Sequence, residues 1–179
     1  MRRIGITGGI GSGKSVVSRL LRIMGYSVYD TDSEAKRLME SSLEVVQKLS
    51  ECFGRDIYHN GRLNRGLLSS RVFGESDKIV LLNSIVHPVV RFDFYRWSES
   101  LNEEICFVES AILYESRFDE LVDEVWTVTA PEELRIGRVR QRSGLTEEEI
   151  KKRMAAQLSE EEKQRRAAHI IWNLSLIHI

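Results

Sequence analysis

The most constraining feature of this chain is a run of eight residues near its start, Gly8-Gly9-Ile10-Gly11-Ser12-Gly13-Lys14-Ser15. It satisfies GxxxxGK[ST] in full, a pattern whose chemistry works only between a strand and a helix. The flanking residues supply both. Arg3-Ile4-Gly5-Ile6-Thr7 is apolar-rich, too short for a helix and stopped by glycines, so it predicts a buried strand. From Lys14 to Met24 the apolar residues Val16, Val17, Leu20, Leu21, Ile23 and Met24 recur at helical spacing, and Gly25 stands where a helix end favours positive φ. A plain glycine turn needs no Lys-Ser at its end, and a dinucleotide fingerprint would order its glycines GxGxxG rather than GGxGxG. The loop therefore predicts a site for a nucleoside triphosphate, ATP with Mg²⁺. Glycines let backbone N–H groups curl round phosphate, the helix start adds partial positive charge, Lys14 reaches the outer phosphates and Ser15 coordinates Mg²⁺. The candidate ATP-binding residues are Gly9, Gly11, Ser12, Gly13, Lys14, Ser15 and Val16.

Downstream, Tyr26-Ser27-Val28-Tyr29 reads as a second strand, followed by Asp30-Thr31-Asp32 at its C-terminal end, where open α/β sheets place ligands. Residues 33 to about 101 read as amphipathic helix with polar breaks around residues 56–61 and without strand signals, a helical insertion. Ile105 to Val108 predicts a third strand and Val125 to Thr129 a fourth, with Pro131 suited to the first turn of the next helix. That helix should cover about 132–141 and break at Ser143-Gly144. Thr146 with Glu149 has capping-box spacing for a helix running toward Leu158. A further helix from Glu160 to Ala168 would lead to a fifth strand at Ile170-Ile171-Trp172. This alternation predicts an α/β fold with a mostly parallel five-stranded sheet covered on both faces.

Composition narrows the function classes. In 179 residues, 26 Lys and Arg stand against 27 Asp and Glu, so nothing global attracts the chain to nucleic acid or to an anionic membrane. No apolar run approaches a membrane span, and the chain opens on a strand rather than a leader, so neither insertion nor export is expected. Cys52 and Cys106 lie far apart with no CxxC pair, which argues against zinc or a disulfide framework and suits a reducing cytoplasm.

A phosphate loop alone does not separate a kinase from a switch GTPase or a motor ATPase. The guanine-selecting Asn-Lys-x-Asp is missing, and a motor needs more chain. Arg135, Arg138, Arg140 and Arg142 lie between two helical segments, with Arg135, Arg138 and Arg142 on one helical face. They read either as a solvated basic face or as a lid whose guanidinium forks close over a transferring phosphoryl group and exclude water. Asp32 reads either as a helix cap or as the acceptor of an alcohol proton. Glu109, directly after the third strand, reads either as an ordinary strand-end charge or as an acid that holds Mg²⁺ through water. Alternatives to a small-alcohol kinase are a nucleoside or nucleotide kinase and a nucleotide-hydrolysing switch module.

Several segments together resemble dephospho-CoA kinase: Ile6 through Ser15, Asp30-Thr31-Asp32, His87-Pro88, Ala111-Ile112-Leu113-Tyr114-Glu115, Arg138 with Arg142, and Arg153-Met154-Ala155-Ala156-Gln157. They occur in the family's order over roughly residues 1 to 173. The resemblance implies a three-layer P-loop kinase fold. Its nucleotide-binding core would be 1–32, 103–130 and 156–179, its helical substrate domain 33–102 and its lid 131–155. It implies transfer of the ATP γ-phosphoryl group to the 3′-hydroxyl of dephospho-CoA ribose. Asp32 becomes the base, and Arg138 and Arg142 become lid arginines that act with Lys14 on the phosphoryl group; the candidate metal residues stay Ser15 and Glu109, as read from the loop and the strand end. His87 and Pro88 join Asp32 in binding the acceptor, and Asn173 lies near the nucleotide base. ATP and dephospho-CoA are the expected partners of a cytoplasmic monomer or weak homo-oligomer, with no nucleic acid and no membrane.

The chain departs from the family pattern in two places. Ala111-Ile112-Leu113 replaces Pro-Leu-Leu, a mild apolar change. Trp172 replaces the Asp before Asn173, and Leu174-Ser175-Leu176-Ile177-His178-Ile179 replaces a glycine-rich turn and closing helix. An altered end of the kinase is therefore expected, with an apolar tail that could lower stability or drive self-association.

Overall fold

The computed structural model describes residues 1–72 and 74–174; the tail expectation for residues 175–179 lies outside them. Two compact units emerge, one of residues 1–30 and 100–179 and the other of residues 31–99.

The first unit is built on a parallel sheet. Strands β1 (Arg2–Thr7), β2 (Val28–Asp30), β5 (Ile105–Glu109), β6 (Glu124–Thr129) and β7 (His169–Trp172) lie in the order β2-β5-β1-β6-β7. Every pairing is parallel, with Ile6 opposite Glu109 on one side and Trp126 on the other. Helices α1 (Lys14–Ile23), α6 (Glu132–Ser143), α7 (Glu147–Ala155) and α8 (Glu160–Arg166) complete the unit. Ile4, Ile6, Leu21, Phe107 and Val128 form its core, because the central strands carry apolar residues on both faces. From β1 the chain runs to one side of the sheet and from β6 to the other. The loops after these two strands part, and the opening lies at the strands' C-terminal ends.

Several expectations shift: the second strand is Val28–Asp30 rather than Tyr26–Tyr29, and the helix expected to run toward Leu158 ends at Ala155. Coverage fails at the edge, where Ile170 and Trp172 of β7 stay exposed. Pro131 sits one position earlier than expected, at the N-cap of α6. The capping box forms as the sequence indicates: Glu149 N–H donates to Thr146 Oγ1, and Thr146 N–H donates to Glu149 Oε2.

The second unit holds α2 (Thr31–Ser41), α3 (Leu43–Phe53), a 3₁₀ turn Arg55–Ile57, α4 (Arg65–Val72) and α5 (Ser76–Ser100). Leu38, Val45, Leu49, Phe53 and Ile57 are buried in it, as are Val86, Val90 and Phe94 of α5. It also contains an antiparallel hairpin, β3 (Tyr58–His59) with β4 (Arg62–Leu63), where no strand was expected. The signal was the dipeptide Asn60-Gly61, whose residues have φ of 50° and 75° as a two-residue hairpin turn requires. Arg71 bridges to Asp56 and to the Phe53 carbonyl, and its guanidinium holds the Asp56 carboxyl below the usual range.

Candidate active site

The phosphate loop joins β1 to α1 as its pattern demands. Gly13 is the N-cap of α1 with φ of 94°, in the left-handed region that other residues avoid. A Cβ on Gly8 would lie 2.1 Å from the Val128 carbonyl oxygen, so only glycine lets the loop cross β6 this closely. The N–H groups of Lys14 and Ser15 open the helix and by geometry have no intrahelical acceptor. Val16 N–H turns back to the Gly13 carbonyl at 2.9 Å. Lys14 is half-buried and Ser15 exposed.

Around this loop the fold gathers residues from distant parts of the chain. Ser15 Oγ donates to Glu109 Oε1 at 3.2 Å, and Glu109 itself is buried at the end of β5. Asn173, buried just past β7, donates from Nδ2 to the Ser12 carbonyl at 3.0 Å. Arg138 donates to the Asn173 carbonyl at 2.9 Å and approaches the Gly11 carbonyl at 3.5 Å. Gly9, Gly11, Ser12, Gly13, Ser15, Glu109, Arg138 and Asn173 are thus contiguous. Arg142, one turn beyond Arg138 in the last turn of α6, is exposed.

The donor set suits a hard cation. Mg²⁺ is commonly held by one or two protein oxygens and by substrate phosphates, not by an all-protein cage. Ser15 Oγ and the Glu109 carboxylate supply such oxygens side by side. Among the described residues no group of three or more His, Cys, Asp or Glu forms a cage.

Asp32, His87 and Pro88 belong to the second unit. Asp32 is exposed in the first turn of α2, where an acid also complements the helix dipole. His87 is half-buried in the middle of α5. Burial, and then the Arg91 charge, push its imidazole below the ordinary value. Pro88 sits inside the same helix, where its ring denies a ladder bond to the Ser84 carbonyl.

The sequence reading missed a second set of residues. Glu160 Oε1 accepts from Gly9 N–H at 2.8 Å and from Arg135 at 2.7 Å, and Gln157 Oε1 accepts from Ile10 N–H at 3.0 Å. Lys163, fully buried, donates to the Ala111 carbonyl at 3.2 Å, and burial pushes its ammonium below the ordinary lysine value. Leu158 N–H donates to Glu115 Oε1 at 2.7 Å. In sequence, Ser159-Glu160-Glu161-Glu162-Lys163 reads as a helix start, and of this set only Arg135, Glu115 and Gln157 stand in segments that the sequence marks. A cavity of about 420 Å³ opens beside this cluster, lined among others by Glu132, Arg135, Lys151, Met154 and Glu160.

Comparison with known proteins supplies an independent line. The family model described as dephospho-CoA kinase matches residues 2–178. A dephospho-CoA kinase of Porphyromonas gingivalis is 44% identical over 174 residues, covering 97% of this chain and 86% of the relative. Among solved structures, a Thermus thermophilus protein is 38% identical with a TM-score of 0.84, covering 98% of this chain and 90% of its own. A dephospho-CoA kinase of Campylobacter jejuni is 25% identical with a TM-score of 0.73, covering 99% and 90%.

Proposed function

Because the chain belongs to the dephospho-CoA kinase family, we propose that it transfers the γ-phosphoryl group of ATP to the 3′-hydroxyl of dephospho-CoA ribose, giving coenzyme A. The observation that carries the phosphoryl-transfer part is the phosphate loop with the Ser15 hydroxyl against Glu109 and with Arg138 and Asn173 at its back. A family resemblance over nearly the whole chain carries the choice of acceptor.

In this reading the backbone N–H groups at the start of α1 and the Lys14 ammonium bind the phosphates of ATP. Gly9, Gly11, Ser12, Gly13 and Val16 shape that cradle. Ser15 and Glu109 would hold Mg²⁺, which when bound neutralises phosphate charge. Asp32 accepts the proton of the ribose hydroxyl as it attacks. Arg138 and Arg142 meet the charge that spreads over the transferring group, carried on a lid of residues 131–155 whose closure excludes water and disfavours hydrolysis. Residues 33–102, with His87 and Pro88, receive the acceptor, and Asn173 lies by the base of the nucleotide. The proposed core is 1–32, 103–130 and 156–179, whereas the first compact unit has its borders at residues 30 and 100.

Among the described residues no helix is long and apolar enough to cross a membrane, and Cys52 and Cys106 are both free thiols. We read the chain as a cytoplasmic enzyme acting as a monomer or weak homo-oligomer. A coupled ADP-release assay with dephospho-CoA, with adenosine and with no acceptor tests the reading. Turnover should require dephospho-CoA and yield coenzyme A by mass spectrometry. Acceptor-independent ADP release would instead identify a hydrolase.

A further inference from the structure

We propose that Glu160 is a positioning residue of the nucleotide site, setting the shape of the phosphate loop through Gly9 and Arg135; this rests on the ATP-dependent reading above. One carboxylate joins three parts of the first unit. Its Oε1 accepts from Gly9 N–H in the loop at 2.8 Å and from Arg135 Nη1 in α6 at 2.7 Å. Its Oε2 accepts from Thr129 Oγ1 at the end of β6 at 2.9 Å. Both oxygens are engaged by donors, which suits holding rather than proton transfer.

The pair is largely out of water. The Arg135 side chain is 6% exposed and that of Glu160 16%, and Arg135 Nε is buried with no hydrogen-bond partner. Glu160 therefore carries the compensation of a buried cation, in surroundings where such bonds are strong. The loop is cut to fit this pair. A Cβ on Gly9 would stand 2.3 Å from Glu160 Oε1 and 2.5 Å from Arg135 Nη1, and one on Gly11 would stand 2.4 Å from the Arg135 carbonyl oxygen.

The reason for such a peg follows from the loop's composition. With glycine at positions 8, 9, 11 and 13, the loop has little stiffness of its own. A phosphate binds more tightly to N–H donors already held in place than to donors it must itself order. Glu160 fixes Gly9 while Gln157 fixes Ile10. A bare carboxylate there would repel a triphosphate. Arg135 neutralises it, so the loop gains a rigid attachment without net negative charge.

The test uses the full chain with Glu160→Ala and Glu160→Gln, reading the KM of each substrate and the ATP dissociation constant by calorimetric titration. The Ala variant should weaken ATP binding about tenfold or more while the acceptor KM stays within about twofold. Gln is isosteric and its carbonyl can still accept from Gly9 N–H, so it should recover part of the loss. A smaller effect on ATP, an equal rise of both KM values, or a Gln variant as weak as Ala overturns the proposal. If the Ala variant gives no soluble protein, the Gln variant decides: ATP binding about threefold weaker or more supports the role, and anything less overturns it. Wild-type chain that binds ATP but does not phosphorylate dephospho-CoA would sink the acceptor assignment, and the titration would still decide Glu160.

Discussion

The hydroxyl of Ser15 donates to Glu109 Oε1 at 3.2 Å, so the last residue of the phosphate loop and the acid that ends β5 share a hydrogen bond. The contact exists because β1 and β5 are parallel neighbours in register, Ile6 opposite Glu109, and both strands end at the same edge. Glu109→Gln keeps an acceptor for Ser15 but removes the charge. Turnover should fall about 10–100-fold and require more Mg²⁺, with the melting temperature unchanged. A Mg²⁺ titration of activity beside a thermal melt checks this.

Gly13 has φ of 94°, and a Cβ there would lie 2.0 Å from Asn173 Nδ2. Gly13→Ala should therefore cost about 1–2 kcal/mol in backbone strain and also displace Asn173 from the Ser12 carbonyl. Denaturant unfolding should show the stability loss, and calorimetry should show ATP binding lost with it.

Asp32→Asn keeps the size of the side chain and removes its basicity. If Asp32 accepts the ribose proton, kcat should fall by about 10²–10⁴-fold while ATP affinity stays within about twofold. Near-normal turnover would reject Asp32 as the base and leave it an acid favoured by the dipole of α2.

Pro88 breaks the hydrogen-bond ladder of a 25-residue helix. Pro88→Ala restores the missing donor and should raise stability by up to about 3 kcal/mol. The proposal that His87-Pro88 serves the acceptor adds a second outcome, a higher KM for dephospho-CoA. Chemical unfolding and steady-state kinetics on one preparation read both.

Burial first, and then the Arg91 charge, hold the His87 pKa below the ordinary 6.5. The folded state thus disfavours the protonated ring, while the unfolded chain takes up a proton as pH falls through 6.5. Stability is kept above that pH and lost below it. His87→Gln should lose less stability than the wild type between pH 7.5 and pH 5.5, as measured by urea unfolding.

Local chemistry was legible wherever a residue acts within its own stretch of chain. Gly8 through Ser15 announced a strand, a phosphate loop and a helix, and Thr146 with Glu149 announced a helix start, because loops and caps are closed by near neighbours. Alternating strands and helices indicated a parallel sheet for the same reason: each element's period is carried by its own side chains. The β3–β4 hairpin was equally local, and Asn60-Gly61 was its visible but unread mark.

Contacts between distant residues were another matter. Nothing in Ser159-Glu160-Glu161-Glu162-Lys163 says that Glu160 holds Gly9, 151 residues away, or that Lys163 is fully buried against Ala111. A charged run looks the same whether solvent or a phosphate loop receives it. Arg135 was visible as part of a basic face, but its buried pairing with Glu160 needs α6, α8 and the loop to be assembled first. The chain's own pattern pointed to a triphosphate site and to the loop that would hold it. Which side chains hold that loop in shape was decided only when parallel strands set their ends side by side, since burial and long-range pairing are properties of packing and leave no periodic trace in the chain.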